Sequence, residues 1–286
     1  MKNILVLTDF SKNAGDAAEF ALKLGSKLQA NLLLFNTYVT NAAVPFVGEP
    51  WEAEDLIWGE DDSNDNLNKT AMQLKSVAAQ FAEADYKPAI YCDNGEGKLG
   101  TIISDIIHRQ KIELVVTGAR SSNPDDDNLF GSDLSSVIQK ATRPIIVVPS
   151  KLDPDGLKKV VFATAFDKAD MKAIHYLVKL GEVLKFELDI IHIAQPDQAG
   201  KTRTKKERAL EEQVTRLNYP KVIYHEVKGD DVAENILRIY DDSKGDVLAL
   251  MHHQNSLIAR LFHQSVTKKL LDNQELPLLI FPSGMK

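Results

Sequence analysis

Arg143-Pro144-Ile145-Ile146-Val147-Val148-Pro149-Ser150 returns 133 positions later as Leu276-Pro277-Leu278-Leu279-Ile280-Phe281-Pro282-Ser283. Apolar residues at consecutive positions between two prolines read as a strand covered on both faces, because an uncovered strand of this kind would be an aggregation hazard. Working outward, Thr8 matches Thr164, Leu24-Gly25 matches Leu180-Gly181 and Leu28 matches Leu184, all at an offset of 156. The chain is therefore an internal repeat. The two offsets differ by 23, so the first copy carries extra residues between its second and third strands, most of them between about Thr40 and Asn64 around Trp51 and Trp58.

Each copy alternates short apolar runs with longer amphipathic stretches, the signature of strands and helices in a mostly parallel sheet. In the first copy the pattern predicts strands over 4–8, 32–37, 89–92, 114–117 and 145–148, and helices over 14–28, 66–84, 99–109 and 134–141. Asn94-Gly95-Glu96-Gly97 reads as the turn after the third strand. The second copy predicts strands over 160–164, 188–193, 222–226, 247–251 and 278–281, and helices over 171–184, 207–217, 232–240 and 266–271. Lys151-Leu152-Asp153-Pro154-Asp155-Gly156 is polar and turn-forming, which places two domains at 1–150 and 157–286. The expected class is α/β, two tandem Rossmann-like domains, each a five-stranded parallel sheet flanked by helices.

Composition excludes several classes of function. The 286 residues are 44% hydrophobic and 26% charged, ordinary values for a globular protein. A formal net charge of -7 argues against unaided nucleic-acid binding, which relies on clustered Lys and Arg. The basic run from Lys201 to Arg208 reads as a solvated loop entering a helix. One cysteine, Cys92, cannot form an internal disulfide or a thiolate metal cluster. The start, Met1 to Asp9, has only four consecutive apolar residues, too few for a signal-peptide core, and no run approaches the ~18 expected of a membrane span. The expected location is the cytoplasm, with no membrane partner.

Chemistry concentrates after the fourth strand, in Gly118-Ala119-Arg120-Ser121 followed by nine residues and Gly131-Ser132. Backbone amides reach a phosphate closely where no Cβ intervenes, and a helix N-terminus adds unpaired N–H groups. Ser132 adds a hydroxyl. Ligands of open parallel sheets lie beyond the carboxyl ends of the strands, where this loop falls. Three carboxylates, Asp125-Asp126-Asp127, stand in the intervening loop and would repel a polyphosphate unless Arg120 or a metal ion offset them. A competing reading is an acidic loop closing a glycine-rich turn with no ligand. Asp9, in Thr8-Asp9-Phe10-Ser11, reads from its place at a strand end as a cap of the following helix.

With these residues in view, the sequence resembles the universal stress protein family, whose ATP-binding members carry Gly-x2-Gly-x9-Gly-Ser/Thr between the fourth strand and the last helix. Here the string is Gly118-x2-Ser121-x9-Gly131-Ser132, correct in spacing with one Gly replaced by Ser. The family also places an Asp after its first strand, as Asp9 stands here. The resemblance implies the adenine nucleotide alpha hydrolase-like fold with the two halves packed about a pseudo-two-fold axis. It implies a binding site for ATP, with Mg2+, or for AMP, formed by Thr8, Asp9, Gly118, Arg120, Ser121, Gly131 and Ser132. Family domains dimerise through the last strand, so a tandem chain can pair its own halves, and association of two chains as a homodimer stays open.

The second copy has lost this set: Asp9 corresponds to Ala165, Gly118 to Met251, Ser121 to Gln254 and Gly131 to Gln264, with only Ser132 kept as Ser265. No nucleotide site is expected there. His175, His192, His225, His252, His253 and His263 gather in this copy. Adjacent His252 and His253 would point to opposite sides of a continuing strand, poor geometry for a shared metal, so no metal site is expected. Neither a general base nor the Gly-x4-Gly-Lys-Ser/Thr loop is evident, so no enzyme activity beyond slow incidental hydrolysis is expected. Three functions remain: a nucleotide-binding stress-response regulator, a nucleotide-independent scaffold for an unknown protein partner or small ligand, and an enzyme of the wider nucleotide-binding α/β group. The signatures His-x-Gly-His and Ser-Gly-Gly-x-Asp-Ser that an adenylyl-transferring synthetase would need are absent.

Overall fold

The computed structural model describes residues 2–38, 59–119, 130–150, 152–164, 169–194, 205–217, 219–228, 232–252, 276–282 and 284–285. In the first half, β1 (Lys2–Leu7), α1 (Lys12–Leu28) and β2 (Ala30–Tyr38) are followed by α2 (Glu60–Ala78), β3 (Ile90–Glu96), α3 (Leu99–Arg109), β4 (Ile112–Gly118), α4 (Phe130–Lys140) and β5 (Ile145–Val148). A single 3-10 turn, Pro154–Gly156, leads into the second half. There the order is β6 (Lys159–Thr164), α5 (Asp170–Leu184), β7 (Glu187–Ala194), α6 (Lys205–Arg216), β8 (Val222–Lys228), α7 (Val232–Asp242), β9 (Val247–His252) and β10 (Leu278–Pro282). Among the described residues no helix is long and apolar enough to cross a membrane. The helix expected over 266–271 lies outside the described residues.

Element boundaries differ from the sequence reading most at α2, which ends at Ala78 rather than Ala84, and at β3. Helix α2 begins at Glu60 rather than at Asn66, because Glu60, Asp61 and Asp62 in its first turn complement the helix dipole and the Asp62 carboxylate accepts the Gly59 N–H at 3.3 Å. Strand β3 continues through Asn94, Gly95 and Glu96, where a turn was expected. Its register with β2 runs from Ile90 opposite Leu32 to Glu96 opposite Tyr38, and the turn is deferred to Gly97 at φ 101°.

The strands form one ten-stranded sheet in the order β3-β2-β1-β4-β5-β10-β9-β6-β7-β8. Within each half all pairings are parallel. The halves meet at β5 and β10, which run antiparallel with Leu278 opposite Val147, Leu279 opposite Ile146 and Ile280 opposite Ile145. The two proline-bounded repeats thus cover each other's edge, and the pairing is that of a two-fold arrangement.

Strand alternation sends Ile4, Val6, Leu32 and Leu34 to one face under α1 and α2, and Leu5, Leu7 and Leu33 to the other under α3 and α4. The first layer runs unbroken into the second half, where it takes in Phe162, Ile174, Leu177, Ile190 and Phe281. Phe281 meets Phe162 and Tyr176 edge to face at 6.2 and 5.6 Å between ring centroids. The link between halves is tied to α1: Lys23 Nζ donates to the Asp153 carboxylate at 2.5 Å, and Lys27 pairs with Asp155.

Candidate functional site

In each half the chain winds outward from its first strand, then crosses back to continue on the other side. In the first half that reversal falls between β1 and β4, with Leu7 opposite Thr117. In open α/β sheets such a reversal is where flanking helices diverge and ligands are received, beyond the carboxyl ends of the strands. Gly118 ends β4, and Thr8, Asp9 and Ala119 follow directly from these two strands, so the topology brings the sequence-predicted residues of both segments to one place.

The turn after β1 is built by short local bonds. Thr8 is buried, and its hydroxyl oxygen accepts the Phe10 N–H at 3.0 Å. Asp9 is half-buried, and its Oδ1 accepts the Ser11 N–H at 2.9 Å. Ser11 then caps α1, its Oγ accepting the Ala14 N–H at 3.3 Å. Between them Phe10 adopts φ 64°, a left-handed conformation that a large L side chain rarely takes and that the two flanking bonds hold in place. The cap expected of Asp9 is thus supplied by Ser11, and Asp9 instead closes a turn onto the Ser11 N–H just before the helix, beyond the carboxyl end of β1.

Gly118 has a packing reason as well. A Cβ there would stand 2.7 Å from the Asn13 carbonyl carbon and oxygen and 2.9 Å from the Ala14 nitrogen. The missing side chain lets the first turn of α1 sit directly on the end of β4. Ala119 is engaged on both sides: its N–H donates to the Val148 carbonyl at 2.8 Å, and its carbonyl accepts Asn13 Nδ2 at 3.0 Å. Gly131 and Ser132 fall in the first turn of α4, which precedes a strand parallel to β4 and so begins at the carboxyl-end rim. The side chain of Ser132 lies outside the described residues, as do Arg120 and Ser121.

Three residues that sequence reasoning did not single out complete this region. Asn36 on β2 is buried, and its Nδ2 donates to the Thr8 carbonyl at 2.8 Å. Ser63 of α2 is fully buried and donates to Asn36 Oδ1 at 2.8 Å. Asn13 is the third, through its bond to Ala119. A signal existed for Asn36: it is a polar residue on the same face as Leu32 and Leu34, just after the apolar run Leu32 to Phe35, where a buried amide needs partners. Further along the rim, partial burial and the carboxylates of Glu60 and Glu96 raise the Tyr38 hydroxyl above its ordinary pKa.

The second half is built differently at the places that correspond to Gly118 and Asn36. Met251, at the place of Gly118, is buried, and α5 makes at most marginal contact with β9, whereas α1 lies against β4. Thr164 donates its hydroxyl to Asp170 Oδ2 at 2.7 Å, both residues being buried. His192 Nδ1 contacts the Thr164 carbonyl at 3.1 Å, occupying the place of Asn36. By alternation His192 shares a face with Ile190, while His225 and His252 share the opposite face with Ile191 and Leu250. His192 therefore lies across the sheet from the other two. Among the described residues no group of three His, Cys, Asp or Glu is placed to hold a metal ion. Ala165, Gln254, Gln264 and Ser265 lie outside the described residues.

Comparison with known proteins follows the same two-part division. The sequence pattern of the universal stress protein family matches residues 1–149 and again 156–282. A universal stress protein of Synechocystis sp. is 24% identical over 298 residues, spanning 98% of this chain and 100% of its own. Among solved structures, a universal stress protein from Archaeoglobus fulgidus superposes with a TM-score of 0.68 at 15% identity, covering 98% of this chain and 96% of that one. A putative universal stress protein from Pseudomonas aeruginosa gives 0.63 at 13% identity, with 98% and 92% covered.

Proposed function

The chain belongs to the universal stress protein family, and from that premise we propose that it is a cytoplasmic stress-response regulator that binds an adenine nucleotide, ATP with Mg2+ or AMP, in the crevice of its first half. One observation carries the reading. Asp9 and the Gly118 segment converge at the β1/β4 reversal, the place where an open parallel sheet receives ligands. Asp9 would take hydroxyl or amino donors of the nucleoside. Gly131 and Ser132, with Arg120 and Ser121 of the preceding loop, would meet the phosphate through the N-terminus of α4. The chain acts by binding rather than by turnover, with hydrolysis at most slow and incidental. In this reading 1–150 is the nucleotide-binding unit and 157–286 its partner within the chain, where Met251 and the lost glycines leave no equivalent site.

Isothermal titration with ATP–Mg2+ and with AMP tests the proposal, together with mass spectrometry of small molecules released from freshly purified protein. Retained or titrated nucleotide supports it. No heat and no nucleotide at millimolar ligand would sink it.

A second reading is favoured by one observation. Gly118 is accounted for by its contact with Asn13 and Ala14, so its presence carries little weight for phosphate binding. In that case the scaffold binds a protein partner or a small ligand without nucleotide. Partner capture that is unchanged by Gly131→Asp, in protein that binds no nucleotide, supports this alternative.

A further inference from the structure

We infer that Asn36 and Ser63 are positioning residues for Asp9, a relay that runs from α2 through β2 to the peptide preceding the acid; the inference rests on the nucleotide reading above. The Thr8 carbonyl and the Asp9 nitrogen belong to one planar peptide unit, so whatever holds that oxygen sets the plane from which Asp9 departs. Asn36 Nδ2 holds it at 2.8 Å. An Asn side chain can swing its amide, and with Nδ2 on Thr8 its Oδ1 requires a donor. Ser63 supplies it at 2.8 Å. The three residues are 1%, 6% and 0% exposed, so water does not stand in for a lost member.

The rest of the turn is held from its other side. Thr8 N–H donates to the Phe35 carbonyl at 3.0 Å, and Ser11 N–H fixes Asp9 Oδ1 at 2.9 Å. With both peptide plane and one carboxylate oxygen fixed, the Asp9 carboxylate has a single orientation at the rim. The second half separates the fold's share of this arrangement from the site's. His192 Nδ1 braces the Thr164 carbonyl as Asn36 braces that of Thr8, but the next residue is Ala165, with no carboxylate to aim. Bracing the strand end is common to both halves. Aiming an acid is confined to the first.

A double-mutant cycle on the full chain reads this relay, with AMP and ATP–Mg2+ as the titrants. Ser63→Ala leaves Asn36 free to turn and is expected to weaken nucleotide binding about tenfold at a temperature where the variant is folded by circular dichroism. In the Asp9→Ala background the same substitution is expected to change affinity less than about twofold, because the group it aims is gone. A merely structural role would weaken both backgrounds alike. Asn36→His, which borrows the brace of the second half, keeps a donor to Thr8 and is expected to bind within about threefold of the wild type. Asn36→Leu has no such donor and is expected to bind as weakly as Ser63→Ala. Equal affinity of wild type and Ser63→Ala, or an equal loss in both backgrounds, overturns the relay while leaving nucleotide binding intact. Absence of binding in the wild type removes the nucleotide reading itself, and the relay with it.

Discussion

Gly118 lies against the backbone of Asn13 so closely that any β-carbon on it would intrude to 2.7 Å from the Asn13 carbonyl. The obstacle is backbone, which cannot rotate away as a side-chain tip can. Gly118→Ala is therefore expected to lift the first turn of α1 from β4 and to destabilise the protein by about 1–3 kcal/mol, the usual cost of overpacking. Urea denaturation followed by circular dichroism measures it. An unchanged midpoint would contradict the packing role.

The antiparallel pairing of β5 with β10 makes the two halves one sheet over one continuous layer of core. They are expected to unfold together, with coincident transitions by circular dichroism and by hydrogen exchange of β1 and β6 amides. Ile280 sits opposite Ile145 at 1% exposure. Ile280→Ala should cost about 2–5 kcal/mol and shift both halves by the same midpoint change. Two separate transitions in the wild type would refute the shared sheet as a cooperative unit.

The pairing of Lys23 with Asp153 predicts a small acid-side effect. The hydrogen bond from Lys23, followed by that from the Asp155 N–H, holds the Asp153 carboxyl below its ordinary value. A lowered folded pKa stabilises above the unfolded value, about 3.9, and the contribution is lost as pH falls through the folded value. With side chains 36% and 44% exposed, solvent screening keeps it under about 1 kcal/mol. Asp153→Asn should be less stable than wild type at neutral pH and equal to it near pH 2. A difference that persists undiminished at low pH would rule out this linkage.

Under the proposed function, titration should saturate at one nucleotide per chain, since the second half has Met251 in place of Gly118 and Ala165 in place of Asp9. Asp9→Asn should weaken that single event by about tenfold or more, as expected for losing a charge-assisted bond. Two equivalent binding events would show that the second half retains a site by other means.

The repeat, the α/β class and the positions of the strands were legible in the sequence because each depends on local chemistry: apolar periodicity, glycine and proline punctuation, and copies at two fixed offsets. Where local chemistry was equivocal the reading slipped, as at Asn94-Gly95, whose turn-forming residues are held in β3 by pairing with β2. Gly118 was visible as a candidate from its place after the fourth strand, and Asp9 through the family resemblance. Their surroundings were not. The contact of Gly118 with Asn13 joins residues 105 positions apart, and the relay of Ser63, Asn36 and Thr8 joins an α-helix to two strands. A buried amide or hydroxyl must find a partner, but which one it finds is set by how helices seat on a sheet, and that seating is a property of the folded layers. The sequence by itself determined two copies of one doubly wound unit. Only the tertiary structure decided the antiparallel register in which β5 and β10 join them, and which buried bonds hold the turn that carries Asp9.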